Sequence, residues 1–219
     1  MKIPRYLIIV IMSIVVYAAN GRIACDNDSD CFYVPKNTDG RDYLPALIVL
    51  NCMGATAEDA ESLIDVADSL HMIVATCHGS RNHRDVFLND QDIMKTYEKL
   101  VGNYNVDPLR VFISGFSGMG VQAMMSLFLH AAYFRGILAI CAHKGAMRFG
   151  QGSALTDKYI YLISRENDWN LDDNRQMHFQ FRDYGIRDTL VVTSGEHAAA
   201  DQREILNACY WLIENATTK

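Results

Sequence analysis

The sequence predicts a single α/β domain with helices on both faces of a mostly parallel β-sheet. Three observations lead there. Short apolar runs alternate with amphipathic segments along the whole chain after about residue 30, the mark of repeated β-α-β units. Most of the apolar runs are continuous rather than alternating, as strands covered on both faces should be. The length, 219 residues, supports one well-buried core but not two ordinary domains.

Taken in order, the chain opens with Lys2 and Arg5 ahead of an apolar run from Tyr6 to Ala19. That run is too short to span roughly 30 Å of hydrocarbon comfortably. With Val16 and Ala18 at signal-peptidase spacing, residues 1–18 read as a signal peptide and residues 19–219 as the exported domain. The expected strands are Cys31 to Val34, Ala46 to Leu50, Met72 to Cys77, Arg110 to Ser114, Gly136 to Cys141, Tyr159 to Ser164 and Thr189 to Thr193. Between them, Thr56 to Leu70 carries Ala60, Leu63, Ala67 and Leu70 at helical spacing, with Thr56 and Asp59 placed as a capping box. Gln91 to Tyr104, Gly118 to Phe134, Asn174 to Tyr184 and Ala200 to Glu214 complete the helices. Linkers, internal repeats and low-complexity stretches are missing from the sequence.

Composition narrows the function. Loss of Lys2 and Arg5 with the signal leaves 18 basic residues against 26 acidic ones, net −8, and no basic cluster stands out along the chain. Such a chain is not expected to bind nucleic acid. With the signal removed, no stable membrane insertion is expected either, and export makes a secreted or periplasmic location the expectation. Six cysteines, all beyond residue 18, permit disulfides in an exported protein.

The chemistry concentrates in Val111-Phe112-Ile113-Ser114-Gly115-Phe116-Ser117-Gly118-Met119-Gly120. A strand runs into a sharp turn carrying a serine and then directly into a helix that starts with small residues. A hydroxyl there stands above the end of the sheet, and the helix N-terminus offers amide donors to a developing oxyanion. This stretch resembles the nucleophile elbow of α/β hydrolases. The approach through Asn89-Asp90-Gln91-Asp92 and Asn105-Val106-Asp107 is similar to the esterase and polyhydroxybutyrate-depolymerase-like branch. The resemblance departs from Gly-x-Ser-x-Gly at Met119, with glycine one place later at Gly120.

The resemblance implies the α/β-hydrolase fold, a three-layer sandwich with a mostly parallel sheet, and a triad in the order serine, acid, histidine. Ser117 is the implied nucleophile. Asp168, in the loop after Tyr159 to Ser164, is the implied acid, ahead of Glu166 and Asp172. His197, just before the last helix, is the implied base. The oxyanion loop of the family, His-Gly-x-Gly, falls on Asn51-Cys52-Met53-Gly54, a second departure, and makes the N–H groups of Met53 and Gly118 the implied oxyanion donors. No cofactor is required, and no metal site is expected. His78 and His83, five apart in a polar loop, lack ligand spacing and read as surface residues.

The implied activity is hydrolysis of small carboxylic esters through an acyl-enzyme. Two alternatives stand beside it: a peptidase or polyester depolymerase on the same fold, and a non-catalytic binding protein. Residues Ala142 to Lys158 are too few to fold into a large lid, so an open site that prefers short acyl chains is expected. Because the strands ending near Cys52 and Cys77 are neighbours in this fold, the resemblance also implies a Cys52–Cys77 disulfide. Cys25 and Cys31 would close a small local loop, leaving Cys141 and Cys209.

Overall fold

The computed structural model describes residues 21–38, 40–150 and 155–217; the expected signal peptide lies outside the described residues. Eight strands form one sheet in the order β1-β2-β4-β3-β5-β6-β7-β8, with β1 Ile23–Cys25, β2 Cys31–Tyr33, β3 Leu44–Leu50, β4 Ile73–Thr76, β5 Val106–Phe116, β6 Gly136–Ile140, β7 Tyr159–Arg165 and β8 Arg187–Thr193. From β4 to β8 all pairings are parallel; β1 and β2 form an antiparallel hairpin whose second strand pairs antiparallel with β4.

The continuous apolar runs are explained by what covers the sheet. Along β5, Val111 and Ile113 enter one core while Phe112 enters the other, and along β7 Ile160 and Leu162 alternate in the same way with Tyr161 and Ile163. One face is packed by α3 (Val86–Asn103), α4 (Gly118–Leu129) and α5 (Leu171–Gln180), through residues such as Ile93, Met124 and Met177. The other is packed by α1 (Ala57–Glu61), α2 (Ile64–Leu70) and α6 (Gln202–Thr217), through Ala60, Val66, Ala67 and Leu212. With period 2 along a strand and both faces buried, successive positions in the middle of the central strands are apolar, and polar residues such as Thr76, Ser114, Ser164 and Arg165 come only toward the strand ends.

The element boundaries differ from expectation where side chains cap or interrupt helices. Thr56 to Leu70 is two helices, broken at Ser62 and Leu63; Thr56 donates its N–H to Asp59 Oδ2 at 2.8 Å, as the capping box requires. α3 begins at Val86, five residues early, because the Asp85 carboxylate accepts the N–H groups of Phe87 and Leu88. α4 stops at Leu129, and the turn of chain over Phe181–Tyr184 is a 3-10 helix. β1, three residues long, is too short to show a sequence pattern and adds a strand to those expected.

The cysteines divide differently from the expectation. Cys25 and Cys31, cross-strand partners in the β1–β2 hairpin, form a disulfide. Cys52 and Cys77 are both free, which corrects the implied pairing. Their strands are neighbours, but the thiols serve different surroundings: Cys52 donates across to the Phe116 carbonyl at 3.4 Å, whereas Cys77 is buried beside Thr96 of α3. Burial pushes the Cys77 thiol up to about 11, so it stays protonated and behaves as a small apolar group. Among the described residues, no helix is long and apolar enough to cross a membrane.

Candidate active site

At the carboxyl end of the sheet, β5 ends at Phe116 and α4 starts at Gly118, leaving Ser117 alone to turn the chain. Its backbone is held at φ 54° and ψ −122°, a conformation that costs a non-glycine residue about 1–3 kcal/mol. The strain is fixed from both sides: Ser117 donates its N–H to the Ile140 carbonyl of β6, and its own carbonyl accepts from Gly120 and Val121. Gly115 and Gly120 allow helix and strand to approach. A Cβ on Gly115 would stand 2.3 Å from the Met119 carbonyl oxygen, and one on Gly120 would stand 2.8 Å from the Gly115 oxygen. Met119 therefore contributes backbone to the tight crossing. Its side chain is buried in the core, where Sδ accepts from the Ser80 hydroxyl at 3.6 Å. The departure from the family pattern is accommodated because glycine is needed one residue later.

Ser117 Oγ lies 2.9 Å from His197 Nε2, and His197 Nδ1 lies 2.8 Å from Asp168 Oδ1. Three residues distant in sequence are thus brought into one hydrogen-bonded chain by the ends of β5, β7 and β8. Asp168 is set by its own loop: Oδ1 accepts the Asn170 N–H at 3.0 Å and Oδ2 accepts the Ser164 hydroxyl at 3.1 Å. Burial opposes ionisation of this carboxyl, but the donors Asn170, His197, Cys141 and Ser164 outweigh it and hold its pKa below the ordinary value. Of the fallback acids, Glu166 is exposed and Asp172 pairs with Arg175 at the surface.

His197 is held by its neighbours as well as by Asp168. The Trp169 ring stacks on the imidazole with centroids 3.9 Å apart, and Phe116 contacts it at 4.8 Å. The loop that carries it is clamped by Arg165, at the end of β7, which donates to the Ala199 carbonyl at 2.7 Å and to both oxygens of Glu204 on α6. Trp169, Cys141, Arg165 and Glu204 carry no sequence signal of these roles, since nothing in their spacing relates them to partners 27 to 39 positions away.

The expected oxyanion donors fare differently. Gly118, first residue of α4, has an N–H that helix geometry leaves without an intrahelical acceptor. The Met53 N–H is engaged: it donates to Asn51 Oδ1 at 3.0 Å, while Asn51 Nδ2 is held by Asp59 at 2.7 Å. Asn82 completes this wall. It donates its N–H to the Cys52 carbonyl at 2.9 Å, and its side-chain oxygen lies against Gly118, 2.5 Å from where a Cβ would stand.

Donor atoms of Cys141, Asp168 and His197 lie within 4.8 Å of one another. Their chemistry fits hydrogen bonding better than a metal. Burial, with the Asp168 carboxylate beside it, pushes the Cys141 thiol up to about 12, and both His197 nitrogens already have partners. His78 is held to the Ala55 carbonyl through Nδ1 at 3.1 Å, and His83 is exposed. The segment expected to be too short for a lid forms a 3-10 turn over Lys144–Phe149 that walls a cavity of about 340 Å³ beside Gly118.

No protein-family model matches the chain, and no significant match to a curated protein is found. Solved structures do match. An esterase of Pyrobaculum calidifontis superimposes with a TM-score of 0.73 at 13% identity, covering 93% of this chain and 88% of that one. A ferulic acid esterase gives 0.68 at 16% identity, covering 90% and 96%. A fluorophosphonate-binding serine hydrolase of Staphylococcus aureus gives 0.65 at 12% identity, covering 88% and 96%. The fold is the α/β-hydrolase fold, as the sequence implied.

Proposed function

We propose that the chain is an exported serine hydrolase that cleaves small carboxylic esters through an acyl-enzyme. The observation that carries this reading is the hydrogen-bonded run from Ser117 through His197 to Asp168 above a strained turn. Ser117 Oγ attacks the ester carbonyl as His197 Nε2 takes its proton. Asp168, kept ionised by its donors, fixes Nδ1–H and stabilises the imidazolium. The proton returns to the leaving alkoxide, and water repeats the sequence on the acyl-enzyme. Gly118 N–H stabilises the tetrahedral oxyanion, and Met53 N–H joins it once Asn51 Oδ1 lets go. The low wall over Lys144–Phe149 favours short acyl chains, and the Cys25–Cys31 disulfide fits an oxidising compartment reached through a signal peptide cleaved after Ala18.

One observation favours a second reading. With Met53 N–H committed to Asn51, the oxyanion site is half assembled, as it would be in a non-catalytic relative. A fluorophosphonate probe separates the two, because it reacts only with an activated serine beside an oxyanion site. Labelling of the wild type, lost in Ser117→Ala and cut more deeply in His197→Ala than in Asp168→Asn, is expected. A folded wild type that never labels would sink the hydrolase reading.

A further inference from the structure

The cavity beside Gly118 is lined by three arginines and two histidines in a chain whose net charge is negative. Arg81, His83, His143 and Arg148 stand around it over an apolar floor that includes Met125 and Phe149, and no Asp or Glu lines it. Arg84, also on its wall, is neutralised by Asp92 at 2.6 Å. Arg81 and Arg148 are not: among the described residues neither guanidinium has a carboxylate partner, and Arg148 lies over the Phe149 ring at 4.8 Å. His143 Nδ1 accepts the Gly145 N–H at 3.1 Å, which leaves Nε2–H as a donor.

These groups are held in place. Asn89, fully buried, accepts the Arg81 N–H at 3.2 Å and donates to the Arg81 carbonyl at 2.9 Å. Arg84 donates to the Gly79 carbonyl at 2.8 Å, and Asn82 N–H is tied to Cys52. A surface loop with this many internal anchors presents Arg81 on a fixed backbone, so little ordering is left to oppose binding. Two guanidiniums without carboxylate partners on the lining of one concave surface suit a carboxylate or phosphate, which they bind in a planar, charge-assisted manner.

We infer that this cavity is an anion subsite, and that the substrates are esters carrying a carboxylate or other anionic group on the arm seated next to Gly118. This inference rests on the proposed hydrolase reading for its use in turnover, but binding of the anion does not. The subsite attracts anions locally against the repulsion of an acidic chain, an effect that weakens as salt rises.

The test compares two pairs of esters, one with the charge on each arm. 4-Nitrophenyl hydrogen glutarate is set against 4-nitrophenyl pentanoate with the spontaneous rate subtracted, since the glutarate carboxylate catalyses hydrolysis of its own ester, and the butanoate ester of 4-hydroxybenzoate is set against that of its methyl ester, each rate divided by spontaneous hydrolysis. In one pair the anionic member should have about tenfold or higher kcat/KM, and that ratio should fall close to one in Arg81→Gln/Arg148→Gln while Arg81→Lys/Arg148→Lys keeps part of it. Calorimetric titration of glutarate and 4-hydroxybenzoate into Ser117→Ala protein reads the subsite without turnover. Binding that the double Gln variant loses supports the subsite even if no ester is cleaved, in which case only the hydrolase reading falls. Turnover with no anionic preference in either pair, or a preference or binding that survives the double Gln variant, overturns the subsite.

Discussion

The two walls of the candidate site are built differently. Ser117, Asp168 and His197 stand on the ends of β5, β7 and β8 or in the loops that follow, mostly buried, with side chains fixed by other side chains. Arg81, Asn82, His83 and Arg148 stand on loops and a 3-10 turn, and there it is mostly the backbone that is fixed, leaving the charged ends toward solvent. The sheet places the groups proposed to do the bond-making, where small displacements are costly. The clamped loops place groups that recognise charge, where a long side chain can adapt. Perturbing the first wall should change kcat and stability; perturbing the second should change mainly KM.

After removal of Ser117 or His197 themselves, the largest effect expected from this contrast is that of Asp168→Asn. An amide in place of the carboxylate neither fixes the imidazole tautomer nor stabilises its cation, so kcat on a short aryl ester should fall by about 10⁴-fold. A loss below tenfold would show that the Asp168–His197 contact does not orient the base.

Glu204→Gln comes next and reads stability. Arg165 is buried, and removing its partner charge should cost about 3 kcal/mol in urea unfolding. The same pair sets an acid limit. The Arg165 hydrogen bond holds the Glu204 pKa below its ordinary value, and Asp168 is depressed as well. Their stabilisation is therefore present above about pH 4, where the unfolded carboxyls are ionised, and is lost as pH falls through the lower folded values. Glu204→Gln should flatten that acid limb; an unchanged slope would remove the pair from the account.

On the other wall, Asn89→Ala removes the amide that grips Arg81 from both sides and should cost about 2 kcal/mol. Its kinetic effect should be a raised KM with kcat nearly kept, since the loop moves and the Ser117 turn does not. An equal fall in kcat would mean that the walls are mechanically one. The smallest effect belongs to Trp169→Ala. The ring is 75% exposed, so its loss removes about 1 kcal/mol of stacking on His197 and should lower kcat several-fold with little change in thermal midpoint.

Much of the first wall was legible in sequence because it depends on local chain geometry. Val111 to Gly120 shows a strand, a turn with glycines and a helix start in ten consecutive residues, and the loops holding Asp168 and His197 follow strands that their apolar runs reveal. The alternation of cores along β5 and β7 explains why those runs are continuous. The second wall was illegible for the opposite reason. Arg81 and Arg148 are 67 positions apart and carry no shared periodicity. His83, which reads as an ordinary surface residue, sits on the cavity rim only because α3 and the 3-10 turn flank the same end of α4.

The cysteines draw the same line. Neighbouring strands put Cys52 and Cys77 near each other, and a strand order alone would join them. Which way each thiol points depends on the turn after β3 and on the packing of α3, and these send Cys52 to the Phe116 carbonyl and Cys77 toward Thr96. The sequence by itself determined the layers, the alternation of strands and helices and the serine turn, because hydrophobic period and glycine placement act over a few residues. The tertiary structure alone decided that Asp59 holds the Asn51 amide, that Trp169 stacks on His197, and that the unpaired arginines line one cavity. These contacts depend on side-chain directions across elements, which no local pattern encodes.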